Sequence, residues 1–167
     1  MTQTDPSGTI TSTWDARNRL IGLSGPSLTA SFAYDGLGRR AQKTIASTTT
    51  TFRYDGLDAV RESGAGGDTI YLRTLGIDEA LARMDAVDTV HYLGDALGSA
   101  VALTTPGGTA ATTYTYEPFG RTEATGTPNP NVFRFTGRED DSTGLYYYRA
   151  RYYDPLRSRF VSKRGRL

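Results

Sequence analysis

The chain has 167 residues and a net charge of +1 at pH 7, from 19 basic and 18 acidic residues. A balance this close to neutral gives no general attraction for nucleic acid or anionic membranes. The chain has no cysteine, which excludes disulfides and thiolate metal sites, and it has no apolar run of about 18 residues that would predict a membrane span.

A two-residue motif, in most copies an aromatic residue followed by an acidic one, recurs along the chain. The copies are Trp14-Asp15, Tyr34-Asp35, Tyr54-Asp55, Gly94-Asp95, Tyr116-Glu117 and Tyr153-Asp154. The acidic residues lie 20, 20, 40, 22 and 37 positions apart, and weaker copies at residues 74–78 and 136–138 divide the two long intervals. A period of about 20 residues predicts a repeat array, in which each unit buries its apolar face against its neighbours.

The residues after each motif favour a tight turn. Asp35 stands at the first turn position, where its carboxylate accepts bonds from backbone N–H groups, and Gly38 stands at the fourth, where a positive φ is often needed. We therefore predict hairpin turns at residues 35–38, 55–58, 95–98, 117–120 and 154–157. The turn residues that the pattern assigns are Asp35, Gly38, Asp55, Asp95, Gly98, Glu117, Gly120, Asp154 and Pro155.

Aromatic residues two positions apart precede the turns, so both rings of a pair point to the same side of a sheet. The pairs are Phe32/Tyr34, Phe52/Tyr54, Tyr114/Tyr116, Phe133/Phe135 and Tyr146/Tyr148. Residues 78–84 are the only stretch that also fits one or two turns of helix, and they fit a degenerate turn and strand equally well. The predicted fold is all-β, a repeat array of antiparallel hairpins forming a curved or wound sheet. Its open edges predict pairing with further repeats of a longer chain or self-association.

The most distinctive stretch runs from residue 134 to 155 and reads RFTGREDDSTGLYYYRARYYDP, continued by RFVS at residues 159–162. This stretch resembles the carboxy-terminal core signature of bacterial RHS (rearrangement hot spot) proteins. The upstream motifs, together with residues 92–104, look like the YD repeats that precede that core. The resemblance covers essentially the whole chain, and it divides the chain into YD repeats at 1–113, the RHS-associated core at 114–162 and an atypical basic tail at 163–167.

The resemblance implies a long β-sheet strip wound as a hollow shell, in a polymorphic toxin or cell-surface protein that is secreted or displayed at the surface. In the family the shell encloses a variable toxin, the core plugs one end, and several members cleave themselves by an aspartyl mechanism after the core. The family's cleavage region contains an Asp-Pro-x-Gly element, whereas residues 163–167 read KRGRL. We therefore expect a truncated, non-enzymatic structural module with no toxin payload, no self-cleavage and no cofactor; the alternatives are a carbohydrate-binding surface module and an aspartyl-type self-cleaving core.

Strand parity in the core places Tyr146, Tyr148 and Tyr152 on a buried side and Tyr147 on the opposite side. The tyrosines are interpreted as the packed face of a plug. The alternative is a stacking surface for sugars or single-stranded nucleic acid, with Arg149 and Arg151 supplying charge. With sugars as ligands the chain would be a carbohydrate-binding module with glycans as partners. The structural residues assigned to the core are Arg138, Gly144, Tyr146, Tyr148, Arg151, Asp154 and Pro155.

Three further features have ordinary structural interpretations. The carboxylates Glu139, Asp140 and Asp141 are adjacent, as an acid–base pair would be, but ion pairs with Arg138, Arg149 or Arg151 are favoured. His91, the single histidine, alternates with Val90 and Tyr92 as a plain strand residue, because no serine elbow motif accompanies it. The glycine-rich residues 64–67 lack the Lys-Ser/Thr of a phosphate loop and predict a turn.

Overall fold

A computed structural model describes residues 2–5, 8–76 and 78–161 of the chain, so the basic tail at 163–167 lies outside the described residues. The structure consists of two antiparallel sheets, a 13-stranded strip and a four-stranded small sheet, and each sheet joins its strands in chain order. The strands of the strip are β1 (Thr2–Asp5), β2 (Gly8–Trp14), β3 (Leu20–Ser24), β4 (Thr29–Tyr34), β5 (Arg40–Ile45), β6 (Thr48–Asp55), β7 (Asp58–Gly64), β8 (Gly67–Arg73), β9 (Ala80–Met84), β10 (Thr89–Gly94), β11 (Ala100–Thr104), β12 (Ala110–Tyr116) and β13 (Thr122–Gly126). The strands of the small sheet are β14 (Glu139–Asp140), β15 (Tyr146–Tyr148), β16 (Arg151–Asp154) and β17 (Arg159–Val161).

The predicted all-β hairpin array is confirmed. Residues 78–84 form a turn and β9, which decides between the two interpretations of that stretch. The described residues contain no helix with the length and apolarity that a membrane crossing requires. The predicted boundary between repeats and core at residues 113 and 114 falls within β12 and stays a prediction.

The turns owe their shape to the residues that the motif supplies. The Gly38 N–H donates to the Asp35 carbonyl over 3.0 Å, and one Asp35 carboxylate oxygen accepts from the N–H groups of Leu37 and Arg39, each over 2.9 Å. Gly38 has φ of +85°, as a type I turn followed by a left-handed residue requires. The turn at 95–98 repeats this arrangement, with the same carboxylate bonds from Asp95.

A β-bulge follows the turn in five alternate hairpins, which are β2–β3, β4–β5, β6–β7, β8–β9 and β10–β11. Tyr34 pairs with Arg40 while Ala33 pairs with Gln42, so Ala41 is an extra residue in β5. The equivalent extra residues are Ile21, Ala41, Val60, Leu81 and Val101, about 20 positions apart. Because a bulge bends its strand and increases the local twist, one bulge per repeat is expected to bend the strip at regular intervals.

The tyrosine of the motif bonds each hairpin to the one before it. The Tyr34 hydroxyl donates to the Leu20 carbonyl over 2.7 Å, and the Tyr54 hydroxyl donates to the Arg40 carbonyl over 2.9 Å. Both acceptors directly precede the extra residue of a bulge, where the regular ladder is interrupted. In the fourth hairpin, β8–β9, an arginine takes the place of tyrosine, and its Nε bonds the equivalent carbonyl of Ala59 over 2.9 Å. These inter-repeat bonds therefore satisfy acceptors that the bulges would otherwise leave without a ladder partner.

An arginine after the turn adds a second connection between repeats. Arg39 Nε lies 2.7 Å from the Asp35 carboxylate, and the guanidinium lies 5.0 Å from the ring centre of Tyr54 in the next hairpin. Arg19 makes the same two contacts one repeat earlier, with Asp15 and Tyr34. Such partly exposed ion pairs contribute less than about 1 kcal/mol each, so they orient the turn more than they stabilise the chain.

The segment between β13 and the small sheet corrects one prediction. Phe133 and Phe135 do not share a strand: Phe133 makes a single bridge with Glu139, and Phe135–Gly137 is one 3₁₀ turn. The segment crosses the inner face of the strip, where the Ala100 N–H donates to the Arg134 carbonyl over 3.2 Å. Its backbone groups bond to β11, to the turn itself and across the single bridge, where the Asp140 N–H donates to the Val132 carbonyl over 2.8 Å.

Candidate functional site

The small sheet lies against the first hairpins of the strip, and this contact contains the larger of the two buried apolar clusters found among the described residues. The cluster joins Leu20, Leu23, Ala30 and Phe32 of the strip to Leu145, Tyr147, Tyr152 and Val161 of the core, all at least nine-tenths buried. The ring centres of Phe32 and Tyr152 are 5.0 Å apart. Trp14, the single tryptophan, packs against the same cluster from β2.

Buried charges lie at the centre of this contact. The Arg40 side chain is fully buried on β5 and forms an ion pair with the buried Asp141 of the core. Lys43 Nζ lies 3.1 Å from the other Asp141 oxygen. The guanidinium of Arg40 also lies over the rings of Tyr147, at 4.0 Å, and Phe52, at 4.8 Å. Arg40 points inward because it stands beside the bulge at Ala41.

The two cations determine the charge of Asp141. Burial alone would raise the pKa of Asp141, but Arg40 and Lys43 outweigh it and hold the pKa below the ordinary value of 3.8. Burial would likewise lower the pKa of Arg40, and the Asp141 charge holds it well above its usual range. Breaking one side of such a pair leaves an uncompensated buried charge. Removing one charge of the cluster is therefore expected to weaken the contact between the two sheets.

Glu139 is buried beside this cluster without a strong ion pair. Burial raises the pKa of Glu139 to about 7, Arg40 acts in the opposite direction, and Asp141 and Glu62 raise it further. The backbone of Glu139 pairs with Tyr147 in the small sheet. The cavity that it lines has a volume of about 10 Å³, which is room for about one water molecule.

A second set of ion pairs joins the core to the turns of the strip. Arg138 pairs with Asp78, and Arg149 Nη2 lies 2.6 Å from Asp78 and 3.0 Å from Asp58. Within the core, Arg134 pairs with Asp140 over 2.6 Å. The predicted pairing of residues 139–141 with Arg138, Arg149 or Arg151 is therefore wrong. Those arginines are close in sequence, but Arg138 and Arg149 are directed at the strip.

The predicted buried side of the core is also partly wrong. Tyr146 and Tyr152 are buried, but Tyr147 is 2% exposed and Tyr148 only half-buried. The register pairs Tyr147 with Tyr152 and Tyr148 with Arg151. Because the turn has two residues, each odd-numbered residue of one strand pairs with an even-numbered residue of the other. The odd–even pattern of β15 therefore does not carry over to β16. Tyr147 therefore faces the strip together with Tyr152.

The other predicted core residues lie around the small sheet. Gly144, with φ of +80°, is in the turn before β15. Asp154 is buried at the end of β16, where its carboxylate pairs with Arg157 over 2.7 Å. Pro155 begins the following turn. The exposed Arg151 stacks on Phe160 at 3.8 Å.

The predicted turn residues are spread along the strip and are not gathered into one site. Asp35, Asp55, Asp95 and Glu117 each end a strand or begin its turn, and Gly98 and Gly120 have φ of +80° and +87°. Sequence reasoning missed Arg40 and Lys43, the residues that bind the core. The one available signal was that two arginines follow the turn that begins at Asp35. Arg39 pairs with Asp35, which leaves Arg40 to bind a partner elsewhere.

The chain was compared with known proteins. No family model matches it. Over 76 residues it is 37% identical to the tRNA3(Ser)-specific nuclease WapA of Bacillus spizizenii and to the tRNA nuclease WapA of Bacillus subtilis strain 168; the match covers 43% of this chain and 3% of each relative. The crystal structure of TcdB2-TccC3 superposes with a TM-score of 0.69 at 18% identity, over 92% of this chain and 9% of that one. TcdB2-TccC3 without its hypervariable C-terminal region gives a TM-score of 0.71 at 21% identity, with the same coverage.

These likenesses confirm the resemblance to the RHS/YD-repeat family at the level of the fold. The chain spans about 9% of the length of the two solved structures and 3% of the curated relatives it matches. The named activity of the relatives belongs to those proteins.

Proposed function

We propose that this chain is a non-enzymatic structural module, the terminal part of an RHS-type shell of a secreted or cell-surface bacterial protein. In this proposal the strip is a section of the shell wall and the small sheet is the plug that closes its end. The observation that carries the proposal is the buried contact between the two, with the Arg40–Asp141 pair at its centre. Further repeats of a longer chain are the partners, and they pair with an edge strand of the strip.

The arrangement of the carboxylates supports a structural role. Asp141 accepts from two cations, and the cavity beside Glu139 is too small for a substrate. Among the described residues, no group of three His, Asp or Glu side chains is placed to hold a metal ion. Catalysis on an external substrate would need an open cleft that reaches these carboxylates.

One observation favours a second candidate, the carbohydrate-binding module. Tyr148, Tyr153 and Phe160 form a cluster with ring centres 5.4–5.7 Å apart on the side of the small sheet that faces away from the strip's buried cluster. Arg151 and Arg138 lie over two of these rings, Phe160 and Tyr148. A glycan array with the Tyr153→Ala variant tests it. Glycan binding that this substitution abolishes would favour the second candidate.

The structural proposal is tested by seeking catalysis directly. Purified protein is incubated from pH 4 to pH 8, alone and with total tRNA, and the intact mass and the tRNA are then measured. We expect one unchanged protein mass and uncleaved tRNA. A discrete new protein fragment that disappears in Asp141→Asn, or tRNA cleavage that persists through purification, would contradict the proposal.

A further inference from the structure

The contact between the small sheet and the strip contains more carboxylates than cations. Arg40 and Lys43 supply two positive charges and both pair with Asp141, whereas Asp141, Glu139 and Glu62 together can supply three negative charges. Glu139 is 6% exposed, and none of the ion pairs recorded among the described residues includes it. One carboxylate oxygen of Glu62, on β7, is also buried without a hydrogen-bond partner. Two carboxyl groups therefore share one poorly compensated interior.

The surroundings of Glu139 come from both sheets and allow little relaxation. The titratable or charged groups that act on Glu139 or line its cavity are Arg40, Lys43, Tyr54, Asp58, Glu62, Arg73, Asp78, Arg138, Asp141, Tyr147 and Arg149. Of the cations, Arg40 and Lys43 are engaged by Asp141, and Arg138 and Arg149 by Asp78. Arg73 is directed at the Ala59 carbonyl.

We propose that the small sheet is held on the strip by a proton-dependent latch, in which neutral Glu139 lets the two sheets close and ionised Glu139 repels Glu62 and Asp141 and loosens them. The inference rests on the proposed anchoring of the small sheet on the strip. It adds that the strength of this anchor depends on pH between about 4.5 and 7.

The direction of the effect follows from linkage. The pKa of Glu139 is about 7 in the folded chain and 4.5 when the group is free, so the folded state binds the extra proton between these values. Stability from Glu139 is fully present below about pH 4.5 and is lost as the pH rises through 7. Asp141 acts in the opposite sense, but only as the pH falls below its ordinary value of 3.8. Between pH 5 and pH 8 the Glu139 effect stands apart from that of Asp141.

Trp14 provides the measurement, because it packs against the cluster that the small sheet completes. Urea unfolding followed by Trp14 fluorescence at pH 5 and pH 8 gives the unfolding equilibrium constant at each pH. For the natural chain we expect this constant to be about a hundredfold larger at pH 8. Glu139→Gln, which keeps the shape and removes the charge, is expected to give nearly equal constants. Glu62→Gln is expected to move the midpoint of the pH dependence to lower pH.

Two matched variants separate the latch from general charge effects. Glu123→Gln removes an exposed carboxylate on β13, and His91→Gln removes the single histidine, exposed on β10; both are expected to keep the full pH dependence. A natural chain with equal stability at both pH values, or a Glu139→Gln variant with unchanged pH dependence, would overturn the latch. If Glu139→Gln does not fold, the Glu62→Gln midpoint decides. If Tyr147→Ala leaves the unfolding curve measured by Trp14 fluorescence unchanged at either pH, the anchoring of the small sheet on the strip is itself overturned.

Discussion

The contacts that stabilise the strip and those that hold the small sheet join residues at very different separations along the chain. In the strip, the tyrosine hydroxyls bond carbonyls 14 residues earlier, and the arginines pair with aspartates four residues earlier. In the contact with the small sheet, Arg40 and Lys43 reach Asp141 across 101 and 98 residues. The strip is thus stabilised by the same short-range contacts in successive repeats, whereas the small sheet depends on a few specific residues that are distant in the sequence. Substitutions in the two parts should differ accordingly.

The largest expected effect is at Asp141. Asp141→Asn leaves Arg40 and Lys43 buried without their counter-charge, so we expect a loss of about 3–5 kcal/mol in the free energy of unfolding. The matched control is Asp140→Asn, which breaks the partly exposed pair with Arg134 and should cost about 1 kcal/mol or less. Urea unfolding at pH 7 measures both. Equal losses would mean that the buried pair does not hold the sheets together.

A smaller effect separates two neighbouring tyrosines. Tyr147→Ala removes a ring that is 2% exposed and packs against Tyr152 and Arg40, so it should cost about 3 kcal/mol. Tyr148→Ala removes a half-buried ring on the opposite face and should cost about 1 kcal/mol. The same unfolding experiment compares them. If Tyr148→Ala lowers the free energy of unfolding more than Tyr147→Ala, the buried side of the core is the one that strand parity predicted.

The smallest effect concerns the bonds within the strip. Tyr54→Phe keeps the ring and removes the hydroxyl that bonds the Arg40 carbonyl, so we expect a loss of about 1 kcal/mol. Tyr153→Phe removes a hydroxyl that bonds an exposed carbonyl, that of Phe119, and should change stability by less. If the two substitutions cost the same, the bond at the bulge adds nothing beyond an ordinary surface hydrogen bond.

Much of the strip could be predicted because its determinants are local. Asp35, Gly38 and the alternating Phe32 and Tyr34 specify a turn and the strand before it within seven residues. The bulge at Ala41 was not predicted, since alanine there carries no distinctive signal. The role of the motif tyrosine was missed for a related reason: an acceptor 14 residues away is defined only when two hairpins are already paired.

The candidate site could be predicted only in part. The core signature located the residues that dock, but their partners come from β5, and no local pattern joins Arg40 to Asp141. The parity argument treated Tyr146 to Tyr153 as one strand, whereas Arg149, with φ of +56°, lies in a turn that reverses the chain. Contacts made by folding two distant segments together are the part that a single sequence specifies least directly.

The inter-repeat tyrosine bond also bears on how such chains can change in length. A 20-residue unit brings its own donor for the unit before it and its own bulge carbonyl for the unit after it, so adding or removing a unit leaves no bonding group of this kind unmatched. Between Arg40 and Asp141 the situation differs, because these 101 residues, about five units, must return the core to one particular guanidinium. We therefore expect gain or loss of repeats to be selected against within this interval.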